Sequence, residues 1–280
     1  DMWGFCGAEH VSWDKRWKNG YYSSNRQSHE NGFDLNKWTW QRKKKYWTKP
    51  IQIITPSNWL TEHVKQSKLM KNWPCKTIPN AIDNKFWKPV DKYLSRQALN
   101  LPKNDFILAF GSSNANQEPH KGFDLILEAL QKMQKKNLIK LQLIIFGQKK
   151  SLKNIPLNIP IHNLGYLDDT KLKKMYNAVD AIVVPSRIEA FGQIASEASA
   201  CETPVISFNT SGLKDIVKHH LTGYLAKQFD TEDLSQGIKW TLENSEIKQL
   251  GHNARKHVIN NFNSSLVAKK YYKTYQKVLK

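Results

Sequence analysis

At 280 residues the chain has room for one large domain or two modest ones, and for a proper hydrophobic core. A hydrophobic content of 40% beside 24% charged residues is ordinary for a globular protein, no apolar run approaches the roughly 18 residues of a membrane helix, and the first residues do not read as a signal peptide. The net charge of +19 either reflects lysines spread along the whole chain or marks an anionic partner, and here an anionic membrane surface or a phosphorylated substrate ranks ahead of nucleic acid, for which no motif is present.

Residues 1–50 differ from the rest. Nine of the ten tryptophans precede residue 90, which sets this part apart as its own unit. The polar, aperiodic stretch 20–33 reads as a long loop, a kind of segment that is usually functional or poorly ordered. Residues 36–47 read as a helix with Trp40 and Trp47 on one face and the run Arg42-Lys43-Lys44-Lys45 on the other. A short apolar strand at 51–55 leads to a helix capped by Ser57 and reaching about Lys68, and a second strand spans 75–78. A domain boundary is expected near residue 88. The chain opens on Asp1-Met2-Trp3 without an initiator methionine, which suggests a piece of a longer protein.

From Phe106 onward strand and helix alternate. Strands are expected at 106–110, 141–146, 161–164, 181–184, 204–208 and 223–225. Helices are expected at 122–135, 169–178, 191–201, 231–244, 246–261 and 264–279. Apolar strands of four to six residues separated by amphipathic helices specify an α/β fold with a doubly wound, Rossmann-like parallel sheet covered on both faces. Ligands of such sheets bind at the carboxyl ends of the strands, here along Gly111, Gly147, Gly165 and the loop 185–192. Cys6, Cys75 and Cys201 are far apart and odd in number, so they make neither a disulfide framework nor a metal cluster, and a reducing, cytoplasmic setting fits them.

The stretch 180–208 holds the strongest chemical signal. A strand runs into a loop carrying Glu189 and Gly192, and an alanine-rich helix follows. The loop and the free amides of the helix start make an anion site, with Ala190, Phe191, Gly192 and Gln193 as donors to a diphosphate. Glu197 lies roughly 9 Å further along that helix at about 1.5 Å per residue, the reach from a diphosphate to the vicinal hydroxyls of a ribose. Glu189 stands on the other side of the phosphates, where a donor sugar would be. The plainer reading makes Glu189 a loop residue and Glu197 part of a solvated face; the small neighbours Ala195, Ser196, Ala198 and Ser199 argue for close packing instead. Asp168-Asp169 could hold a metal, but at a helix start such a pair more often caps.

The segment Glu189-Ala190-Phe191-Gly192-Gln193-Ile194-Ala195-Ser196-Glu197 resembles the Glu-x7-Glu signature of retaining GT-B glycosyltransferases, particularly glycosyltransferase family 4. Ile78-Pro79-Asn80-Ala81-Ile82-Asp83 resembles that family's interdomain segment, with Ala81 in place of glycine. The segments 1–7 and 55–60 resemble a subgroup acting in bacterial surface-polysaccharide and lipopolysaccharide synthesis. The resemblance implies a partial N-terminal acceptor-side domain over 1–88, a nucleotide-sugar-binding domain over 89–262, and a last helix over 263–280 crossing back toward the first. It implies transfer of a sugar from a nucleoside-diphosphate-sugar donor to a glycan or lipid-linked acceptor with retention, no metal cofactor, and a place in the cytoplasm or on the inner face of the membrane. By the same resemblance Glu197 holds ribose, Glu189 contacts the sugar and Lys121 neutralises the diphosphate, while Gly165-Tyr166-Leu167 places Tyr166 and Leu167 at the nucleobase. The arginine that often follows the strand-end glycine is replaced by Ser112-Ser113 after Gly111, which leaves these hydroxyls and amides, or Arg187 or Lys149, to take its part. The family's N-terminal histidine and glycine-rich loop have no match here, His10 being a weak substitute. Two alternatives stay open: a non-catalytic nucleotide-sugar-binding fragment, and a sugar-nucleotide 2-epimerase of the same fold.

Overall fold

The computed structural model describes residues 1–113, 118–135, 140–148, 155–246 and 249–279. The chain forms two compact units, one comprising Asp1–Pro79 with Lys269–Lys280 and the other Asn80–Ala268. The division falls ahead of residue 88 for a packing reason. Ile82 donates its amide to the carbonyl of Phe262 at 2.8 Å, and Trp87 is buried in a core cluster of the second unit, where its carbonyl accepts from Arg255.

The first unit contains α1 (Arg16–Asn19), α2 (Leu35–Tyr46), the strand β1 (Ile53–Thr55), α3 (Asn58–Gln66) and β2 (Cys75–Thr77). The two strands pair in parallel, and Ser57 caps α3 by accepting the amide of Leu60. The stretch 20–33 holds one short 3-10 turn and is otherwise irregular, but it is well tied. Arg16, almost fully buried, donates to Asp34 at 2.7 Å and to Glu30 at 3.4 Å, and Arg26 pairs with Glu30 at 3.3 Å. Helix α2 departs from the expected arrangement. One lysine of its basic run, Lys43, is 4% exposed and donates from Nζ to the carbonyls of Trp3, Cys6 and Gly7. Burial pushes its ammonium down to about 8, against the pull of Cys6 and Glu9.

The second unit continues with α4 (Lys92–Ala98), β3 (Phe106–Gly111), α5 (Phe123–Lys135), β4 (Leu141–Phe146), β5 (Ile161–Gly165), α6 (Asp169–Ala178), β6 (Ala181–Val184), α7 (Gln193–Ala200), β7 (Val205–Phe208), α8 (Leu213–Ile216), β8 (Gly223–Ala226), α9 (Thr231–Asn244), α10 (Leu250–Phe262) and the start of α11 (Ser264–Val278), whose residues from Lys269 on belong to the first unit. Its six strands form one parallel sheet in the order β5-β4-β3-β6-β7-β8. Successive side chains of a strand point to opposite faces, so Ile107 and Ala109 pack in one cluster with α6, α7 and α10, while Leu108 and Phe110 pack in another with α5 and α9. With both faces covered, the middle strands carry continuous apolar runs, and all six residues of β4 are buried.

The sheet winds outward in both directions from the pair β3 and β6. That pair is the switch point, where connections leave to opposite sides and a crevice opens at the carboxyl ends. β3 and β4 stay in register over six residue pairs, whereas β3 and β6 pair only at Leu108 with Ala181 and Ala109 with Ile182. The two strands then part, and the gap between them is the site.

Candidate functional site

The gap is a cleft of about 410 Å³, solvent included, walled by Phe110 and Gly111 on the β3 side and by Pro185, Ser186, Glu189, Gly192 and Gln193 on the β6 side, with Lys121 over it. It brings together five residues expected from the sequence: Gly111, Lys121, Glu189, Gly192 and Gln193.

Gly192 starts α7 and is required there twice. Its φ of +108° is strained for any residue with a side chain, and an added Cβ would lie 2.8 Å from Leu213 Cδ2. A glycine also offers no side-chain cap. Asp34, Ser57, Asp91, Asp168 and Asp230 each accept amides of the helix they precede, whereas no side chain caps α7. The start of α7, where Gly192, Gln193 and Ile194 line the cleft, thus carries no side-chain acceptor for its first-turn amides, an arrangement that suits an anion. Phe191 contributes backbone only, because its ring is buried edge-on against Phe262 at 5.4 Å. Ala190 is half-buried beside it.

Lys121 Nζ donates to Glu189 Oε2 at 2.9 Å, and Ser186 Oγ donates to the same oxygen at 3.3 Å. The contact is held from both sides. Gly122, next in the chain, has φ +71°, and a Cβ there would come within 2.1 Å of the Pro185 carbonyl oxygen, so the Lys121 turn sits directly on the β6 loop. Arg187 clamps the same two segments. Its amide donates to the His120 carbonyl at 2.8 Å, and its guanidinium donates to the Pro119 carbonyl at 2.7 Å and to both oxygens of Asp124 at 2.8 and 2.6 Å. These bonds hold the Asp124 carboxyl below the usual range. Arg187 is thus occupied as a clamp. The other substitute cation considered, Lys149, lies outside the described residues.

Glu197 sits one turn into α7 and is 8% exposed. Oε1 accepts from Gln193 Nε2 at 2.9 Å and Oε2 from the Tyr176 hydroxyl at 3.0 Å. Burial raises its pKa, opposed by those two bonds. It is a packed carboxylate and not part of a solvated face. Gln193, exposed at the helix start, links it to the cleft.

Ser112 is buried, and its hydroxyl donates to Glu118 Oε2 at 2.9 Å while Ser113 donates to Oε1 at 2.9 Å. Tyr166 and Leu167 follow β5 and do not line the cleft. Tyr166 is 80% exposed, and Leu167 packs against the core. Asp168 caps α6 through the Lys171 amide at 2.8 Å. His10, at the surface, pairs with Asp1. Among the described residues no three His, Cys, Asp or Glu side chains stand together as metal ligands. Burial pushes the Cys201 thiol up to about 12, which keeps it protonated.

Residues 91–257 match the family described as glycosyl transferases group 1. The chain belongs to that family. A glycosyltransferase of Methanocaldococcus jannaschii is 25% identical over 237 residues, covering 80% of this chain and 60% of the relative. The capsular polysaccharide biosynthesis glycosyltransferase CapM of Staphylococcus aureus is 32% identical over 106 residues, 38% of this chain and 28% of CapM. The chain therefore spans less than two thirds of the length of the curated relatives it matches. Among solved structures, sucrose-phosphate synthase from Thermosynechococcus elongatus superposes with a TM-score of 0.74 at 24% identity, covering 88% of this chain and 63% of that one. Anabaena HepE in complex with UDP-glucose superposes at 0.69 with 20% identity, covering 81% and 64%. These structures establish the fold, that of the GT-B glycosyltransferases.

Within this group 1 glycosyltransferase chain, three members of the site had no readable signal in the sequence. Tyr176 looks like an ordinary apolar-face residue of α6, yet its hydroxyl orients Glu197. Glu118 gathers the two serines that stand in place of the expected arginine. Asp124 fixes Arg187 and is placed by nothing more than the first turn of α5.

Proposed function

We propose that the cleft binds a nucleoside-diphosphate sugar and that, in the intact enzyme, the sugar is transferred to a glycan or lipid-linked acceptor with retention of anomeric configuration. The observation that carries this reading is the pairing of Lys121 with Glu189 beside the uncapped start of α7. A cation and a row of unfilled amides suit a diphosphate, and a carboxylate beside them suits the hydroxyls of a sugar. UDP-glucose bound to HepE, and the polysaccharide synthesis named for CapM, support the donor class and the cell-surface setting.

The diphosphate lies on the amides of Ala190 to Gln193, within reach of the Gly111 and Ser112 backbone. Glu197 exchanges the Gln193 amide for the ribose hydroxyls, and Tyr166 and Leu167 border the base. Lys121 meets the oxygen that gains charge as the glycosidic bond breaks, which is where a fixed cation lowers the barrier. Glu189 orients the sugar. The acceptor attacks from the side the nucleotide leaves, which preserves configuration without a protein nucleophile, and no metal takes part.

Calorimetry with nucleotide sugars, on the chain and on Glu197→Ala, tests the donor site: unchanged affinity in the variant overturns the ribose assignment. Proton NMR of the transfer product tests the stereochemistry, and an inverted anomeric centre overturns retention. A second reading, donor binding without turnover by these residues alone, is supported by the share of each relative that the chain spans. Turnover by the 280 residues removes it.

A further inference from the structure

Behind the cleft, the loop between β7 and α8 holds the backbone of Glu189. Ser211 Oγ accepts the Glu189 amide at 3.1 Å, and the Gly212 amide donates to the Glu189 carbonyl at 2.9 Å, so one dipeptide satisfies both backbone groups of this residue. The two segments also touch. A Cβ on Gly212 would lie 2.6 Å from the Ala190 carbonyl oxygen and 2.9 Å from that of Glu189. Ser211 is 2% exposed and does not line the cleft. Its φ is +50°, in the left-handed region where a side chain is costly and glycine is at ease. A serine at a position that suits glycine directs attention to its hydroxyl, and that hydroxyl bonds Glu189.

We propose that Ser211 is a positioning residue for recognition of the donor sugar: its hydroxyl fixes the Glu189 backbone so that the carboxylate meets the sugar and the amide stays out of the diphosphate seat. The proposal rests on the reading of the cleft as a nucleotide-sugar site. A free amide at the edge of an anion site is one more donor to phosphate. With Ser211 in place that amide faces the loop, and the phosphate donors begin at Ala190. The carboxylate tip is held by Lys121 and Ser186. When Lys121 turns to the phosphate, the carboxylate gives up its ion pair, and the backbone clasp of Ser211 and Gly212 is what keeps Glu189 in place. Recognition of a sugar by a carboxylate depends on that placement, since groups held loosely by about 1 Å lose much of their effect.

Binding of a nucleoside diphosphate with and without its sugar decides it. Calorimetry of the chain with UDP and UDP-glucose, and with the corresponding GDP and ADP pairs, identifies the pair in which the sugar adds most affinity. Ser211→Ala should lower that sugar preference about tenfold, the worth of a hydrogen bond to a charged group, and leave affinity for the bare diphosphate unchanged or tighter. Ser211→Gly separates this role from a turn. Glycine suits the left-handed backbone, so a serine present only for the turn would let this variant keep the preference, with an equal or higher melting temperature. The proposal expects Ser211→Gly to lose the preference as Ser211→Ala does. Hydrogen exchange at the Glu189 amide needs no ligand and should be faster in both variants. Retained preference in Ser211→Gly, an equal loss for bare diphosphate and sugar nucleotide, or unchanged Glu189 exchange overturns the proposal and leaves the donor reading standing. A parent chain that binds no nucleoside diphosphate, or gains nothing from the sugar, overturns the donor reading, and the proposal falls with it.

Discussion

Glu197 keeps a carboxylate where charge is expensive, and the cost can be read in its titration. Because burial raises its folded pKa above the unfolded value of roughly 4.3, the folded chain holds this proton more readily than the unfolded one. Its contribution to stability therefore falls as pH rises through that interval. Glu197→Gln removes the penalty and can keep both partners, accepting from Gln193 and donating to the Tyr176 oxygen. The variant should match or exceed the parent melting temperature at pH 7 while binding nucleotide about tenfold or more weakly, the worth of a hydrogen bond to a charged group. A lower melting temperature with unchanged binding would make Glu197 a structural residue. Lys121→Gln should act differently, lowering turnover of the intact enzyme by about 100-fold or more with a smaller change in donor affinity. The two glutamates were legible in the sequence because one falls in the loop that follows an apolar strand and the other about one turn into the helix after that loop. The hydroxyl and amide that aim Glu197 were not, since a tyrosine on an amphipathic helix gives no sign of what its oxygen touches.

The elements that hold the site are turns and caps, and two of them can be broken singly. Gly122→Ala places a Cβ against the Pro185 carbonyl at a left-handed φ, so the Lys121 turn must lift off the β6 loop. We expect a loss of about 1–3 kcal/mol in thermal or denaturant unfolding, and a matching loss of nucleotide affinity, because Lys121 moves with it. In the first unit, burial alone would raise the pKa of Asp34, but the Lys37 amide and the Arg16 guanidinium outweigh it and leave the carboxyl below its ordinary value. That stabilisation is complete above roughly pH 3.9 and is lost as pH falls through the lower folded value. An acid titration followed by tryptophan emission should show this step, and Asp34→Asn should remove it. Strands were the easiest elements to read, because a parallel sheet buried on both faces leaves short, wholly apolar runs such as β6. Helix α4, with the sequence Lys-Tyr-Leu-Ser-Arg-Gln-Ala, escaped because it has no apolar stripe, although Asp91 supplied a cap. The expected helix at 246–261 starts later, at Leu250, after Gln249 takes a positive φ. For α2 the period was right and the face was wrong. Three carbonyls that converge on an ammonium come from residues far away in sequence, and no local pattern announces them.

At the scale of the whole molecule, the two core clusters lie entirely within Asn80–Ala268, together with the six-stranded sheet and the cleft. Residues 80–268 expressed alone should melt cooperatively and be stabilised by nucleotide, with the shift growing as ligand exceeds its dissociation constant. A non-cooperative melt, or no shift where the full chain gives one, would show that the first unit is needed for folding or binding. The sparse ladder between β3 and β6 has a consequence of its own. The sheet is two blocks, β5-β4-β3 and β6-β7-β8, sewn at the backbone by the fewest stitches along the line where the cleft lies. Pulled from its ends, such a sheet has a tear line, and a molecule lodged across the cleft acts as a rivet. Catalytic clefts at switch points are usually described as places where a ligand finds room; here the ligand's arrival would also be the event that closes the seam.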